Sequence, residues 1–187
     1  MSRMMPEPEQ VATAAVKLLR DLGNDLEFGD LKRATVESGC SSLSRFLVVD
    51  RWKMADDKAP LFTEAWRSMA LRAAVFEITG HEDLAQLPVA VPVDEMVHAV
   101  LLQSQLLGRI AERAELRVIH QTDREGDGYR VGDYTHQAYS LAWGEPPQRY
   151  WVPADEVERR TKVLARRGMH TGVQRLLSEH PISFAAY

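Results

Sequence analysis

The change in hydrophobic pattern near residue 116 is the feature that most constrains how this chain folds. Before that point, leucine, alanine and valine recur at helical spacing, most regularly between residues 92 and 115. Residues 117–152 are instead rich in tyrosine, tryptophan, histidine, aspartate and glycine. Such a composition is typical of short β-strands joined by polar turns. The pattern therefore predicts a helical part followed by an antiparallel part.

The predicted fold class is α+β, with a mainly helical body over about 1–115 and a small antiparallel β-meander over about 116–152. Two C-terminal helices are expected to follow the meander. Glycine supplies the positive φ that a tight hairpin needs, so EGDG at 125–128 is predicted to be a hairpin turn. The predicted strands of the meander include 129–134, 138–143 and the short run RYWV at 149–152.

The chain of 187 residues is predicted to form a single domain, because domains of this size are common. It is subdivided into an N-terminal three-helix unit (1–53), two long helices (61–115) and a unit of meander plus C-terminal helices (116–187). Between the first two units, the polar run at 54–60 ends in proline and is predicted to be a linker. The predicted helices cover 7–22, 28–35, a stretch after 42, 61–79, 92–115, 153–167 and 171–179.

Composition excludes several classes of protein. A net charge of −4 argues against a strongly basic nucleic-acid coat or a polybasic membrane binder. The single cysteine, Cys40, excludes an intrachain disulfide framework and a multi-cysteine zinc site. No apolar run approaches the roughly 20 residues that span a bilayer, and MSRMMPEPEQ lacks the apolar core of a signal peptide. The expectation is a cytoplasmic protein without a membrane partner.

The leading functional hypothesis is a non-enzymatic regulatory or interaction protein that engages a macromolecule. Residues 28–50 have the outline of a helix-turn-helix, whose second helix would present Arg45 to DNA. The helix after Pro153 is basic and suits phosphates or an acidic protein. The pattern leaves the partner open between a protein and nucleic acid. The predicted partner-binding residues are Arg45, Arg159, Arg160, Arg166, Arg167, Tyr134, Trp143 and Trp151.

The first alternative is a small metal-independent nuclease or phosphoester hydrolase. Histidine titrates near neutrality and a carboxylate can orient it, so the predicted catalytic residues are His120, His136, Asp123 and Asp133. No histidine or carboxylate pair has a diagnostic ligand spacing such as HExxH, so neither a metal site nor a cofactor is predicted. His98, between Val97 and Ala99, is interpreted as a structural residue of its helix.

The second alternative is an oligomeric helical scaffold, a homodimer that buries apolar surface of the 61–79 and 92–115 helices. The chain end, PISFAAY, is too apolar for a free tail and is expected to dock on the body or on a second subunit.

Overall fold

The structure, a computed structural model, describes residues 4–39, 44–120, 128–169 and 179–186. Throughout these ranges the regular structure is helical, and the β contact found there is an isolated bridge between Lys53 and Glu179. The α-helices in chain order are α1 (Pro8–Gly23), α2 (Phe28–Ala34), α3 (Met54–Thr79), α4 (Glu82–Ala85), α5 (Val91–Leu101), α6 (Ser104–Arg113), α7 (Tyr134–Trp143) and α8 (Ala154–Arg166). A π-helical turn (Thr35–Gly39) follows α2, and Ser44–Val48 and Phe184–Ala186 are 3-10 turns.

The predicted β-meander at 116–152 is therefore wrong, and the α+β class is wrong with it. Residues 134–143, which include a predicted strand, form α7 because Asp133 caps the helix: its Oδ1 accepts a hydrogen bond from the His136 backbone N–H at 2.8 Å. Thr135, Ala138 and Tyr139 then fall on one buried face at helical spacing. The aromatic and β-branched content suggested strands, but the cap and the packing face favour a helix. Residues 125–127 of the predicted hairpin turn lie outside the described residues.

The other predicted strands of the meander have no pairing partner in the described part of the chain. Tyr150 and Trp151 both donate their backbone N–H groups to the Pro147 carbonyl at 2.9 Å, which closes a turn instead of a strand. Residues 116–120 are irregular and belong to no sheet in the described part of the chain. Their position follows from the end of α6, where Glu115 takes a left-handed φ of 51° and the Leu116 N–H donates to the Ala111 carbonyl at 2.8 Å.

The predicted linker at 54–60 is also wrong, because α3 begins at Met54 and runs through it. The Asp57 carboxylate accepts a hydrogen bond from the Lys53 backbone N–H at 2.8 Å and so supports the start of the helix. Pro60 removes one backbone donor, and the helix continues past it. From Leu61 to Val75, α3 is buried on almost every side and packs against α1, α4, α5 and α7. It is the central helix of the described fold.

The long helix predicted over 92–115 is divided into α5 and α6 by a break at Leu102 and Gln103. The predicted helix after Pro153 is confirmed as α8, whereas a predicted helix at 171–179 lies almost wholly outside the described residues. The expected docking of the chain end on the body is confirmed. The Arg51 N–H donates to the Ile182 carbonyl at 2.8 Å, and Phe184 is buried. None of the described helices is both long and apolar enough to cross a bilayer.

Candidate metal centre

Two potential metal ligands, Asp94 and His98, lie on the same face of α5. Pro92 stands in the opening turn of this helix, where its missing N–H costs nothing, and Asp94 follows in the same turn. A spacing of four residues places His98 one turn further along, with its Nε2 atom 3.8 Å from the Asp94 Oδ2 atom. Both side chains are partly exposed. The helix therefore presents a carboxylate and an imidazole side by side.

His120 reaches the same point from the irregular segment that follows α6. Its Nδ1 atom lies 4.0 Å from Asp94 Oδ1, and its ring meets the His98 ring edge to face with centroids 4.7 Å apart. Only 8% of the His120 side chain is exposed. A third element, the central helix α3, supplies Arg72, whose Nη1 atom is 3.2 Å from His120 Nδ1.

One ligand atom from each of Asp94, His98 and His120 lies within 4.8 Å of the other two. Around a tetrahedral zinc ion, ligand atoms are roughly 3.3 Å apart, because Zn–N and Zn–O bonds are about 2.0–2.2 Å long. Small side-chain rotations would therefore bring these three groups into bonding range. The Asp94 carboxylate has no closer partner among the described residues than these two imidazoles. At 3.8 and 4.0 Å, both contacts are longer than hydrogen bonds.

The protonation state of His120 suits a ligand. Burial lowers the pKa of His120 below its usual value; the Asp94 carboxylate opposes this shift, and Arg72 and His98 reinforce it. The ring is therefore neutral near pH 7. Because Arg72 is a donor, the geometry assigns the acceptor lone pair to Nδ1 and the proton to Nε2. The Nε2 atom is buried and has no hydrogen-bond partner among the described residues.

A cleft of about 430 Å³ borders the cluster on the His120 side. Arg117, Gln86 and Glu82 contribute its polar walls, and Arg117 pairs with Glu82 at 2.5 Å. A second cleft, of about 490 Å³, lies between α1 and the ends of α3 and α6, away from the three ligands. There the Arg113 guanidinium is held by the Asp25 carboxylate at 2.8 Å. Of these two clefts, the first is lined by His120.

The predicted catalytic residues do not form one site in the described part of the chain. His136 lies beside Glu145, with Nε2 and Oε2 3.3 Å apart, and its ring faces Tyr129. Asp133 caps α7 through both carboxylate oxygens, which accept from the backbone N–H groups of His136 and Arg130. His120 has a different set of neighbours, and Asp123 lies outside the described residues. Catalysis by these four residues stays a prediction.

The three predicted aromatic partner-binding residues are engaged within the molecule. The Tyr134 hydroxyl donates to the Pro6 carbonyl at 2.8 Å, and burial raises the pKa of Tyr134 to about 12. Trp143 is half-buried under the Arg67 guanidinium, 5.5 Å from the ring centroid. Trp151 is buried, and its indole N–H donates to Glu64 at 2.8 Å. Of the three, Tyr134 and Trp143 retain some exposed surface.

The predicted partner-binding arginines in and directly after α8 differ in exposure. Arg159 and Arg160 both bind Glu156, and they also donate to the backbone carbonyls of Phe184 and Val48. The two arginines thereby hold the C-terminal segment and the 3-10 turn against α8. At the end of the helix, Arg166 and Arg167 are exposed.

The predicted helix-turn-helix at 28–50 is described only in part. Its first helix is α2, and the second is represented by the 3-10 turn Ser44–Val48 instead of an α-helix. Residues 40–43 and the side chain of Arg45 lie outside the described part of the chain. DNA contact through Arg45 stays a prediction.

Asp94, His98 and Arg72 were missed by the sequence interpretation, and His120 was placed in a different site. A signal was present, since Asp94 and His98 have the i, i+4 spacing of two ligands on one helix face. The third ligand, however, is 22 positions later and arrives through an irregular segment. The sequence pattern contains no periodicity that would pair it with α5.

Comparisons of the chain with protein-family models, with curated proteins and with solved structures found no significant match.

Proposed function

We propose that this protein binds a divalent first-row transition-metal ion through Asp94, His98 and His120. The observation that carries the proposal is the convergence of one carboxylate and two imidazoles, with ligand atoms within 4.8 Å of one another, from two separate segments of the chain. Spacing along one helix explains why Asp94 and His98 are neighbours. It does not explain the position of His120, which the tertiary structure brings to the same point.

The donor set favours a particular class of ion. Two imidazole nitrogens and one carboxylate oxygen suit Zn²⁺, Fe²⁺, Co²⁺ or Mn²⁺ better than Ca²⁺ or Mg²⁺, which prefer ligand sets of oxygen alone. Three protein ligands also leave at least one coordination position open, the arrangement that catalytic metal sites have and closed structural sites lack. The site is therefore proposed to bind an exogenous ligand at the metal.

Arg72 sets a condition on binding. Its Nη1 group donates to His120 Nδ1, the same lone pair that would bind the ion. Metal binding therefore requires the guanidinium to give up this hydrogen bond. The other donors of Arg72, Nε and Nη2, both bind the Leu87 carbonyl, at 3.2 and 2.9 Å, and hold the planar guanidinium in place, so the His120 ring has to turn for its Nδ1 atom to bind the ion.

The test is a titration of the untagged chain, first treated with a chelator, with Zn²⁺ and Co²⁺ by isothermal calorimetry. We expect one ion per chain. In His98→Gln and His120→Gln the affinity should fall at least 100-fold, because two ligands seldom retain the ion that three hold. Tetrahedral or five-coordinate Co²⁺ would also give visible absorption bands with imidazole ligation.

The matched control is His136→Gln, which removes a half-buried histidine that also faces a carboxylate but lies outside the cluster. Its metal affinity should equal that of the wild-type chain. Circular dichroism would establish that all variants are folded. A wild-type chain that takes up no ion, or an equal loss in the His136 variant, would contradict the proposal.

The regulatory-protein, nuclease and homodimer hypotheses stay predictions beside this proposal. Their shared first experiment is fluorescence anisotropy with duplex DNA, single-stranded DNA and RNA across a salt series, with a gel to detect cleavage. Salt-sensitive binding would support a nucleic-acid partner, because phosphate contacts release counterions. The same samples, measured by sedimentation, give the oligomeric state.

A further inference from the structure

Arg72 is a buried cation without a close anionic partner in the described structure. The side chain is 7% exposed, and its hydrogen bonds go to a backbone carbonyl and to an imidazole, both of which are uncharged. The Asp94 carboxylate influences it electrostatically, but the described residues include no ion pair between the two. A guanidinium is commonly buried together with an anion that compensates its charge.

The charge of the cluster changes when a metal ion binds. In the empty cluster, the positive charge of Arg72 and the negative charge of Asp94 offset each other. A divalent ion raises the total to about +2 at a site where two of the four side chains, Arg72 and His120, are largely shielded from water. At the same moment, Arg72 Nη1 loses its acceptor, because the ion takes the His120 Nδ1 lone pair. Both changes favour the arrival of an anion.

We propose that the metal-loaded site binds a small oxyanion, a phosphate or carboxylate group, which coordinates the ion and accepts a hydrogen bond from Arg72. This inference rests on the proposed metal site. The anion fills the coordination position that three protein ligands leave open, offsets the added charge and replaces the acceptor that Arg72 loses. Planar guanidinium groups are suited to this, since their N–H groups match the oxygen spacing of carboxylate and phosphate.

The cleft of about 430 Å³ beside His120 provides the space for the remainder of such a ligand. Its polar walls include the Gln86 amide and the Arg117 guanidinium, which are hydrogen-bond donors. Glu82 pairs with Arg117 and neutralises its charge, so this end of the cleft does not favour a highly charged ligand. The expected ligand class is therefore an organic molecule with a single oxyanion group at the metal, and inorganic phosphate is the simplest probe of that group.

The experiment uses the Co²⁺-loaded chain after free ion has been removed by gel filtration. Inorganic phosphate is titrated against chloride at constant ionic strength, and the visible bands of the bound Co²⁺ are recorded. We expect a saturable change in the bands with phosphate and none with chloride. In Arg72→Gln, Co²⁺ should still bind, and the apparent phosphate affinity should fall at least tenfold. Arg72→Lys should restore part of it, because lysine keeps the charge and loses the planar geometry.

The matched control is Arg113→Gln, which removes an arginine paired with Asp25 in the other cleft and should leave the phosphate titration unchanged. A Co²⁺-loaded wild-type chain whose bands do not respond to phosphate would overturn the oxyanion inference and leave the metal site intact. Failure of the wild-type chain to bind Co²⁺ would overturn the metal site itself. If the Arg72 variants do not fold, the wild-type titration decides the anion question alone.

Discussion

At the scale of single residues, buried carboxylates in this molecule differ in how fully they are bonded. Glu64 accepts hydrogen bonds from the Tyr139 hydroxyl, the Trp151 indole and Arg67 at 2.6–2.9 Å. Asp57 is bonded in the same way by Arg149, Tyr150 and the Lys53 backbone N–H. Such bonding compensates the desolvation of a buried charge, so both groups stabilise the fold. Asp94, which is only partly buried, has no comparable set of donors among the described residues, which is why a cation is the expected partner.

His180 gives a prediction at the same scale. Its Nε2–H donates to the Leu47 carbonyl at 2.7 Å, and its Nδ1 accepts from the Ile182 backbone N–H at 3.2 Å, so the ring fits the neutral form. Burial lowers the pKa of His180, and Arg149 adds to this shift. The Leu47 carbonyl and the carboxylates of Asp50 and Asp57 oppose it. A second ring proton would also face the Ile182 N–H.

The pH dependence follows from that direction. The unfolded chain takes up the proton near pH 6.5, whereas the folded chain resists it, so this contribution to stability is complete above about pH 6.5 and is lost as the pH falls. Urea unfolding between pH 7.5 and 5 should show a smaller loss of unfolding free energy in His180→Gln than in the wild-type chain. Equal pH slopes would contradict the prediction, since all other titrating groups are common to both proteins.

At the scale of elements, the start of α7 depends on one side chain. Asp133 bonds the His136 backbone N–H at 2.8 Å and the Arg130 backbone N–H at 2.9 Å, and Gly132 takes a φ of 85° in the preceding turn. The helix that follows positions Tyr139, whose hydroxyl donates a hydrogen bond to Glu64 on the central helix α3. The cap formed by Asp133 therefore helps to orient Tyr139 toward the buried Glu64 carboxylate.

Removal of this cap should destabilise the protein without changing its fold. In Asp133→Ala the free energy of unfolding should fall by about 1 kcal/mol, the usual loss when a capping oxygen is removed. Asp133→Ser keeps an oxygen at the cap and should recover most of that loss. Both values would be measured by urea unfolding. If serine were no better than alanine, the role of Asp133 would not be that of a cap.

At the scale of the whole molecule, the described end of the chain is packed against a distant segment. The His180 N–H donates to the Trp52 carbonyl at 2.9 Å, and the Phe184 N–H donates to Asp50 Oδ1 at 2.6 Å. Phe184 also lies beneath the Arg160 guanidinium, 5.0 Å from the ring centroid. These contacts join residues 47–53, α8 and residues 179–186, so the chain end belongs to the packed body.

The expected consequence is a large loss of stability when this contact is removed. Phe184 is fully buried, so Phe184→Ala should lower the free energy of unfolding by about 3–5 kcal/mol through lost burial and the cavity left behind. Ala185→Ser changes an exposed neighbour and should have an effect within about 0.5 kcal/mol. Urea unfolding of the three proteins is the measurement. A loss below 1 kcal/mol in Phe184→Ala would indicate that the chain end contributes little to folding.

Helices with a strong apolar period and a clear start or stop signal were predictable from the sequence, as α1 with Pro8 and Gly23 and α8 after Pro153 illustrate. Local signals determined these elements because capping and periodicity act over a few residues. Tertiary packing decided the rest. It extends α3 back to Met54, before the predicted start at residue 61, and it favours a helix at 134–143, where aromatic content suggested strands.

The candidate site depends on the tertiary structure for the same reason. The spacing of Asp94 and His98 is a property of one helix, and the sequence contains it. The approach of His120 is not local, because it follows from the break between α5 and α6 and from the turn at Glu115 that directs residues 116–120 back to α5. Arg72 joins them only because α3 is at the centre of the molecule. The sequence by itself determined the ligand types, and chain packing decided which of them meet.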